Sequence, residues 1–319
     1  MTESLHSDML PHAEGMLDVG DGNRMHWAEY GNPSGKPAAV VHGGPGSGSN
    51  PVLVRLFDPS RYRVVLFDQR GCGGSRPHAS DPATEMRHNT TAHLIADMER
   101  LREHLDIERW LLLGSSWGST LTLAYAERHP NRASEIVLNG VGTTRRAEID
   151  WLYRGVARFF PEAWERFRAG VPEVDRDGDL VAAYARLMNS RDPQVTTRAA
   201  ADWCAWEDAV LSAEPHGSAT PYGDRPLAAR IAFVRIASHY FAHAAWLEES
   251  VLLRDAHRLT GIRGVLLHGR HDMSSPPDTA WHLARAWPDA RLSFVPDAGH
   301  KGSPAVRARI VAALDDFAR

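Results

Sequence analysis

A doubly wound α/β fold, built on a mostly parallel sheet and interrupted by a helical insertion, is what this 319-residue sequence predicts. Three observations predict it. Short apolar runs bounded by Gly, Pro or polar residues recur towards both ends of the chain, as strands buried on both faces require. Helically spaced apolar residues separate them, and that alternation winds helices over a parallel sheet. The middle of the chain breaks the alternation and reads as helix without a convincing strand.

Ala38–His42 (AAVVH) and Arg63–Phe67 (RVVLF) are the first two strands. Thr91–Leu105 follows, with Leu94, Ile95, Met98, Leu101 and Leu105 on one helical face. Trp110–Gly114 (WLLLG) and Ser134–Asn139 (SEIVLN) are two further strands. The segment from Gly142 to Arg258 is rich in Ala, Arg, Glu and Trp, and holds Trp151, Trp164, Trp203, Trp206 and Trp246. A helical insertion there predicts a cap over the sheet's C-terminal edge, where open α/β sheets bind ligands. The expected division is a core of 1–141 and 259–319 with a cap of 142–258. Within the cap, Leu211–Arg225 is rich in Pro, Gly and Ser and reads as a mobile loop. Alternation resumes with Gly264–His268 (GVLLH), a helix around Asp278–Trp287, the strand Arg291–Val295 and a last helix near Pro304–Ala318.

Composition excludes several classes of function. Net charge is −4, from 36 basic and 40 acidic residues, so the basic footprint of a nucleic-acid binder is missing. Mean hydropathy is −0.36, and no run approaches the roughly 18 apolar residues of a membrane span. The N-terminal MTESLHSDMLPHAEG lacks a basic segment followed by an apolar one, so no signal peptide and a cytoplasmic location are expected. Two cysteines, Cys72 and Cys204, are too few for a disulfide scaffold.

Gly114-Ser115-Ser116-Trp117-Gly118 is a G-x-S-x-G directly after an apolar strand and before a helix, the context of a nucleophile elbow. A serine hydroxyl is a weak nucleophile at neutral pH and needs a neighbouring base. His300, after the strand RLSFV, is placed to be that base, and Asp272, after GVLLH, to orient it. The order Ser116, Asp272, His300 suits a triad built on strand ends. His42-Gly43-Gly44-Pro45-Gly46 follows another strand; the N–H groups of Gly44 and Trp117 are the candidates for an oxyanion hole. No phosphate-cradling glycine pattern competes with that reading, and no cofactor or metal is implied. His239 and His243 share a helix face but lack a third ligand, so packing is expected of them. Asp68 is expected to brace its loop with Arg70, Cys72 to confer sensitivity to thiol reagents, and Cys204 to pack within the cap.

These motifs resemble the proline iminopeptidases, a family of α/β-hydrolases. The matching stretches are GNPSGKPAAVVHGGPG (31–46), LFDQRGCGGSRPH (66–78), NTT (89–91), GSSWGSTLTLAYAERHP (114–130), HGRHDM (268–273) and DAGH (297–300). In the cap the resemblance continues through DWCAWE (202–207) and RIASHYF (235–241). It implies an α/β-hydrolase fold, Ser116, Asp272 and His300 as the triad, and Gly44 and Trp117 at the oxyanion. It also implies Glu207 as a carboxylate that receives the substrate's free amine, with Trp206 beside it and Phe241 on the pocket wall. The family's second amine-binding glutamate is here Ala237, and two usually aromatic wall positions are Gly142 and Leu152. Those departures predict a wider or re-tuned pocket.

The expected activity is removal of an N-terminal aminoacyl group, proline or another small residue, from a small peptide or aminoacyl amide. Alternatives are trimming of an aminoacyl group from a larger biosynthetic intermediate, or an esterase on the same machinery. A non-catalytic receptor would have no use for Ser, Asp and His at three matched strand ends. Neither nucleic acid nor membrane is an expected partner, and the sequence leaves the oligomeric state open.

Overall fold

A computed structural model describes residues 5–319, so the first four residues of the N-terminal segment lie outside it. Among the described residues, eight strands form one sheet: β1 (Ala13–Gly20), β2 (Asn23–Gly31), β3 (Lys36–Val41), β4 (Tyr62–Phe67), β5 (Trp110–Ser115), β6 (Ala133–Asn139), β7 (Arg263–Gly269) and β8 (Ala290–Val295). Their order is β1-β2-β4-β3-β5-β6-β7-β8. β1 and β2 are antiparallel, and β2 meets β4 antiparallel; every other pairing is parallel.

Register places the functional loops. Val41 lies opposite Gly114, Gly114 opposite Leu138, Leu138 opposite Leu266, and Leu266 opposite Leu292. The C-terminal ends of β3, β5, β6, β7 and β8 are thereby gathered on one edge, and the loops holding Gly44, Ser116, Asp272 and His300 follow from it. Alternate residues of each strand face opposite sides. Val41, Val65, Leu112 and Leu138 enter a core with α1 (Thr91–His104), α2 (Trp117–Arg128) and later α9 (Asp278–Ala286). Val40, Val64, Leu113 and Val137 face the other way, onto α10 (Pro304–Phe317). Each fully buried Val or Leu in these layers contributes about 1.5–3 kcal/mol of transfer free energy.

Between β6 and β7 lie α3 (Arg146–Tyr153), α4 (Pro161–Ala169), α5 (Leu180–Met188), α6 (Pro193–Leu211), α7 (Leu227–Ala242) and α8 (Val251–Arg254). The first five share a separate core centred on Phe167, Tyr184, Trp203, Trp206 and Phe233. Leu252, Ala256 and Leu259, by contrast, pack into the α2 side of the sheet core. α7 is the seam: Ile236 and Tyr240 join the sheet core while Ala237 is sealed in the cap core. No described helix is long and apolar enough to cross a membrane.

Two features differ from the sequence expectation. The β1–β2 hairpin was not anticipated, because β1 is a half-exposed edge strand without a continuous apolar run. The 211–225 loop, expected to be mobile, is anchored at both ends. Near its start the buried Glu214 carboxylate accepts the N–H groups of His300 (2.7 Å) and Lys301 (2.9 Å). Near its end Asp208 accepts those of Tyr222 (2.9 Å) and Gly223 (2.8 Å).

Candidate active site

Ser116 occupies the sharp turn between β5 and α2 with φ 56° and ψ −125°, a backbone conformation costly for a non-glycine residue by about 1–3 kcal/mol. Neighbours hold it there. Its N–H donates to the Asn139 carbonyl (3.0 Å), and its own carbonyl accepts from the Ser119 N–H (2.8 Å). Gly118 is required because a Cβ there would collide with the Val41 carbonyl oxygen. The turn thus lifts the hydroxyl above the sheet edge.

The Ser116 Oγ lies 2.9 Å from His300 Nε2, and His300 Nδ1 lies 2.8 Å from Asp272 Oδ2. The other Asp272 oxygen accepts the Ser275 N–H at 2.7 Å. Burial works to raise the Asp272 pKa, but the His300 charge and hydrogen bond, with help from His268 and Ser275, hold it below the ordinary carboxylate range. Burial works to lower the His300 pKa; the charge and hydrogen bond of Asp272, then the charges of Glu214 and Glu207, outweigh it and push the imidazole up to about 9. Glu214 was not singled out by its sequence, since its neighbours Leu211–Arg225 carry only loop signals.

The HGGPG loop packs directly on the elbow: a Cβ on Gly43 would sit 3.3 Å from that of Ser116. Gly44, with φ +118°, turns the loop where a side chain would press on the Gly46 and Ser47 amides. Trp117 is the first residue of α2, so its N–H is among those a helix leaves without an intrahelical acceptor, at the positive end of the helix dipole. Gln69 ties the two candidate donors together. It donates to His42 through its N–H (3.0 Å, to Nε2) and its side-chain amide (2.9 Å, to the carbonyl), and accepts from the Trp117 indole at 2.9 Å. Asp68 braces the same region, accepting the N–H groups of Ser49 (2.6 Å) and Gly74 (2.7 Å). It does so without Arg70, which pairs instead with Asp97 at 2.6 and 2.8 Å. Cys72 is buried, and desolvation raises its thiol pKa well above the ordinary value, which argues against a reactive thiol.

A pocket of about 70 Å³ opens beside Ser116 and His300 and runs under the cap. Gly44, Trp117, Gly142, Leu152, Phe241 and Glu207 line it. Glu207, on α6, is 7% exposed; its Oε1 accepts the Tyr153 hydroxyl and the Trp203 indole, each at 2.7 Å. Its Oε2 takes no hydrogen bond from a described residue. Burial raises the Glu207 pKa against the two donors and the nearby Arg225 and His300. A buried carboxylate of this kind favours an arriving cation. Glu148 also lines the pocket, but its oxygens already accept the Arg145 N–H (2.9 Å) and the Thr143 (2.9 Å) and Thr279 (2.6 Å) hydroxyls at the start of α3.

Trp206 does not line the pocket. Its indole donates to the Leu152 carbonyl (3.1 Å) and its ring packs on Trp164 and Phe167 in the cap core. The ring that serves Glu207 is Trp203, one turn earlier on α6, a spacing visible in W-x-x-x-E. Beside Gly142 and Leu152, Tyr153 and Tyr222 supply aromatic walls from positions the sequence did not single out. Ala237 is fully buried in the cap core and presents nothing to the pocket. His239 and His243 pack on Trp246, and burial lowers the His239 pKa to about 4. Among the described residues, Asp21, His88 and His93 do converge, but Asp21 is already 3.2 Å from the Arg70 guanidinium and none of them lines the pocket.

A family model described as the alpha/beta hydrolase fold matches residues 39–303. A probable proline iminopeptidase of Streptomyces coelicolor is 50% identical over 99% of this chain and 98% of its own. The proline iminopeptidase of Arabidopsis thaliana is 41% identical over 97% of this chain and 81% of its own. Among solved structures, that of a proline iminopeptidase from Mycobacterium smegmatis superposes with a TM-score of 0.63, covering 96% of this chain and 99% of that one; at 20% identity it supports the fold alone. Sequence identity sustained over nearly the whole length places this chain in the proline iminopeptidase family of α/β-hydrolases.

Proposed function

We propose that this protein is a cytoplasmic serine aminopeptidase that releases an N-terminal proline, or another small residue, from short peptides and aminoacyl amides. Its catalytic core (1–141 and 259–319) supplies the chemistry, and its cap (142–258) supplies the fit. The unbroken hydrogen-bonded chain Ser116–His300–Asp272, opening on a small pocket whose buried Glu207 keeps one oxygen unpartnered, carries this reading. The substrate ammonium meets Glu207 while the N-terminal side chain fills the space between Tyr153, Tyr222 and Phe241. Ser116 Oγ attacks the carbonyl carbon as its proton passes to His300 Nε2. The N–H groups of Gly44 and Trp117 stabilise the oxyanion; removing one donor of this kind typically costs about 3–4 kcal/mol. His300 then protonates the leaving nitrogen, the C–N bond breaks, and water, deprotonated by His300, releases the amino acid from Ser116. Asp272 holds the imidazole tautomer throughout. Both cysteines are unpaired, as is usual in a reducing compartment.

Steady-state hydrolysis of prolyl p-nitroanilide tests the proposal. Ser116→Ala and His300→Ala should each lower kcat by about 10⁴-fold or more while leaving the circular dichroism spectrum unchanged. Substantial turnover by Ser116→Ala would remove the acyl-enzyme from the mechanism.

A further inference from the structure

Ser116 and His300 also border a second cavity, of about 670 Å³, which Glu207 does not line. The two spaces are opposite in charge. The small pocket holds Glu148 and Glu207 and no Lys or Arg. Among the described residues, the large one is lined by the cations Arg225 and Lys301 and by no Asp or Glu.

Arg225 is held in position rather than free to swing. Asp208 anchors the turn that precedes it, and its guanidinium lies 4.9 Å from the Tyr222 ring centre and 5.0 Å from that of Phe233, which stack on each other. Its Nη atoms reach only the Ser47 hydroxyl, at 3.4 and 3.5 Å, and among the described residues no carboxylate pairs with it. Lys301 follows the base His300 directly; Glu214 fixes its backbone, and its Nζ donates to the Ser218 carbonyl at 3.0 Å. Arg225 and Lys301 are ordered cations with no carboxylate partner among the described residues, and in a cavity that begins at Ser116 they form a receptor for an anion.

We propose that this cavity is the leaving-group subsite and that Arg225 and Lys301 select leaving groups bearing a carboxylate. Resting on the aminopeptidase reading above, the inference names the substrate class: a short peptide whose amine enters the Glu207 pocket while the carboxylate just beyond the cleaved bond meets Arg225 and Lys301. An anion at either the C-terminus or the second side chain satisfies this chemistry.

The test compares kcat/KM for Pro-Gly, Pro-Gly amide and Pro-Glu amide, with prolyl p-nitroanilide as a substrate whose leaving group is uncharged. Pro-Gly should exceed Pro-Gly amide by about tenfold, as a charge-assisted contact gives. Pro-Glu amide matching Pro-Gly would assign the site to any nearby carboxylate; Pro-Glu amide matching Pro-Gly amide would assign it to the C-terminus. In Arg225→Gln/Lys301→Gln the Pro-Gly to Pro-Gly amide ratio should fall towards one. Should that variant fail to fold, the wild-type ratio must still shrink from 50 to 500 mM salt. Equal rates on Pro-Gly and both amides, with prolyl p-nitroanilide cleaved, overturn the subsite alone. Failure to cleave any of the four overturns the aminopeptidase reading beneath it.

Discussion

Two glutamates distinguish what single residues reveal in sequence from what they conceal. Glu207 was legible through the resemblance to the proline iminopeptidases, carried in the cap by DWCAWE (202–207), and it lines the pocket beside Ser116. Its supporting ring was misassigned: Trp206 is the nearer residue in sequence, but helical geometry brings Trp203 round to Glu207. Glu214 was invisible, since its importance arises only when an 86-residue separation closes onto the His300 amide. Its charge favours the imidazolium form of His300, whereas attack requires the neutral form. The kcat/KM profile should therefore rise with pH through a pKa near 9. Glu214→Gln should shift that limb to lower pH, the imidazolium having lost one stabilising charge, and reduce the plateau about three- to tenfold through weaker hold on the His300 backbone. A pH–rate profile measures both effects; an unmoved limb would reduce Glu214 to a loop anchor.

At the level of elements, strands inside the sheet were the most readable. β3 to β7 have neighbours on both sides, and their sequences show hydrophobic runs; β1 is an edge that water partly satisfies and was missed, while β8, the opposite edge, was still legible from RLSFV. The elbow was readable because its geometry demands small residues at fixed places, as Gly118 against Val41 shows. α2 also carries an element-level conflict. Glu127 is 6% exposed, its Oε1 lacks a partner, and burial together with the charge of Asp255 pushes its pKa up to about 9. A carboxyl whose pKa is raised on folding stabilises the fold at acid pH, and that contribution is lost as pH rises from its unfolded value towards 9. Glu127→Met should accordingly raise Tm by a few degrees at pH 8, on the order of 1–3 kcal/mol, with a gain that narrows as pH falls. Thermal unfolding at pH 5.5 and pH 8 checks this; a Tm that drops at both values would contradict it.

The whole molecule joins a sheet that holds the reactive groups to a helical cap that shapes their substrate. The winding of helices over a mostly parallel sheet followed from the alternation of apolar runs, whereas the strand order is seen only in the structure. Pocket dimensions did not follow from it, because they depend on which rings of α3 and the 211–225 loop swing over the elbow. Gly142 and Leu152 were legible as departures, but Tyr153 and Tyr222, brought to the same wall by packing on Trp203 and Phe233, were not. The central claim is that one buried cap carboxylate makes a free N-terminus the condition for cleavage. It is tested most directly by comparing prolyl p-nitroanilide with its N-acetyl derivative on the wild type and on Glu207→Gln. The wild type should prefer the free amine by about a hundredfold or more, and Glu207→Gln should lose about a hundredfold on that substrate, collapsing the preference. Equal turnover of the acetylated and free substrates by the wild type would contradict the account.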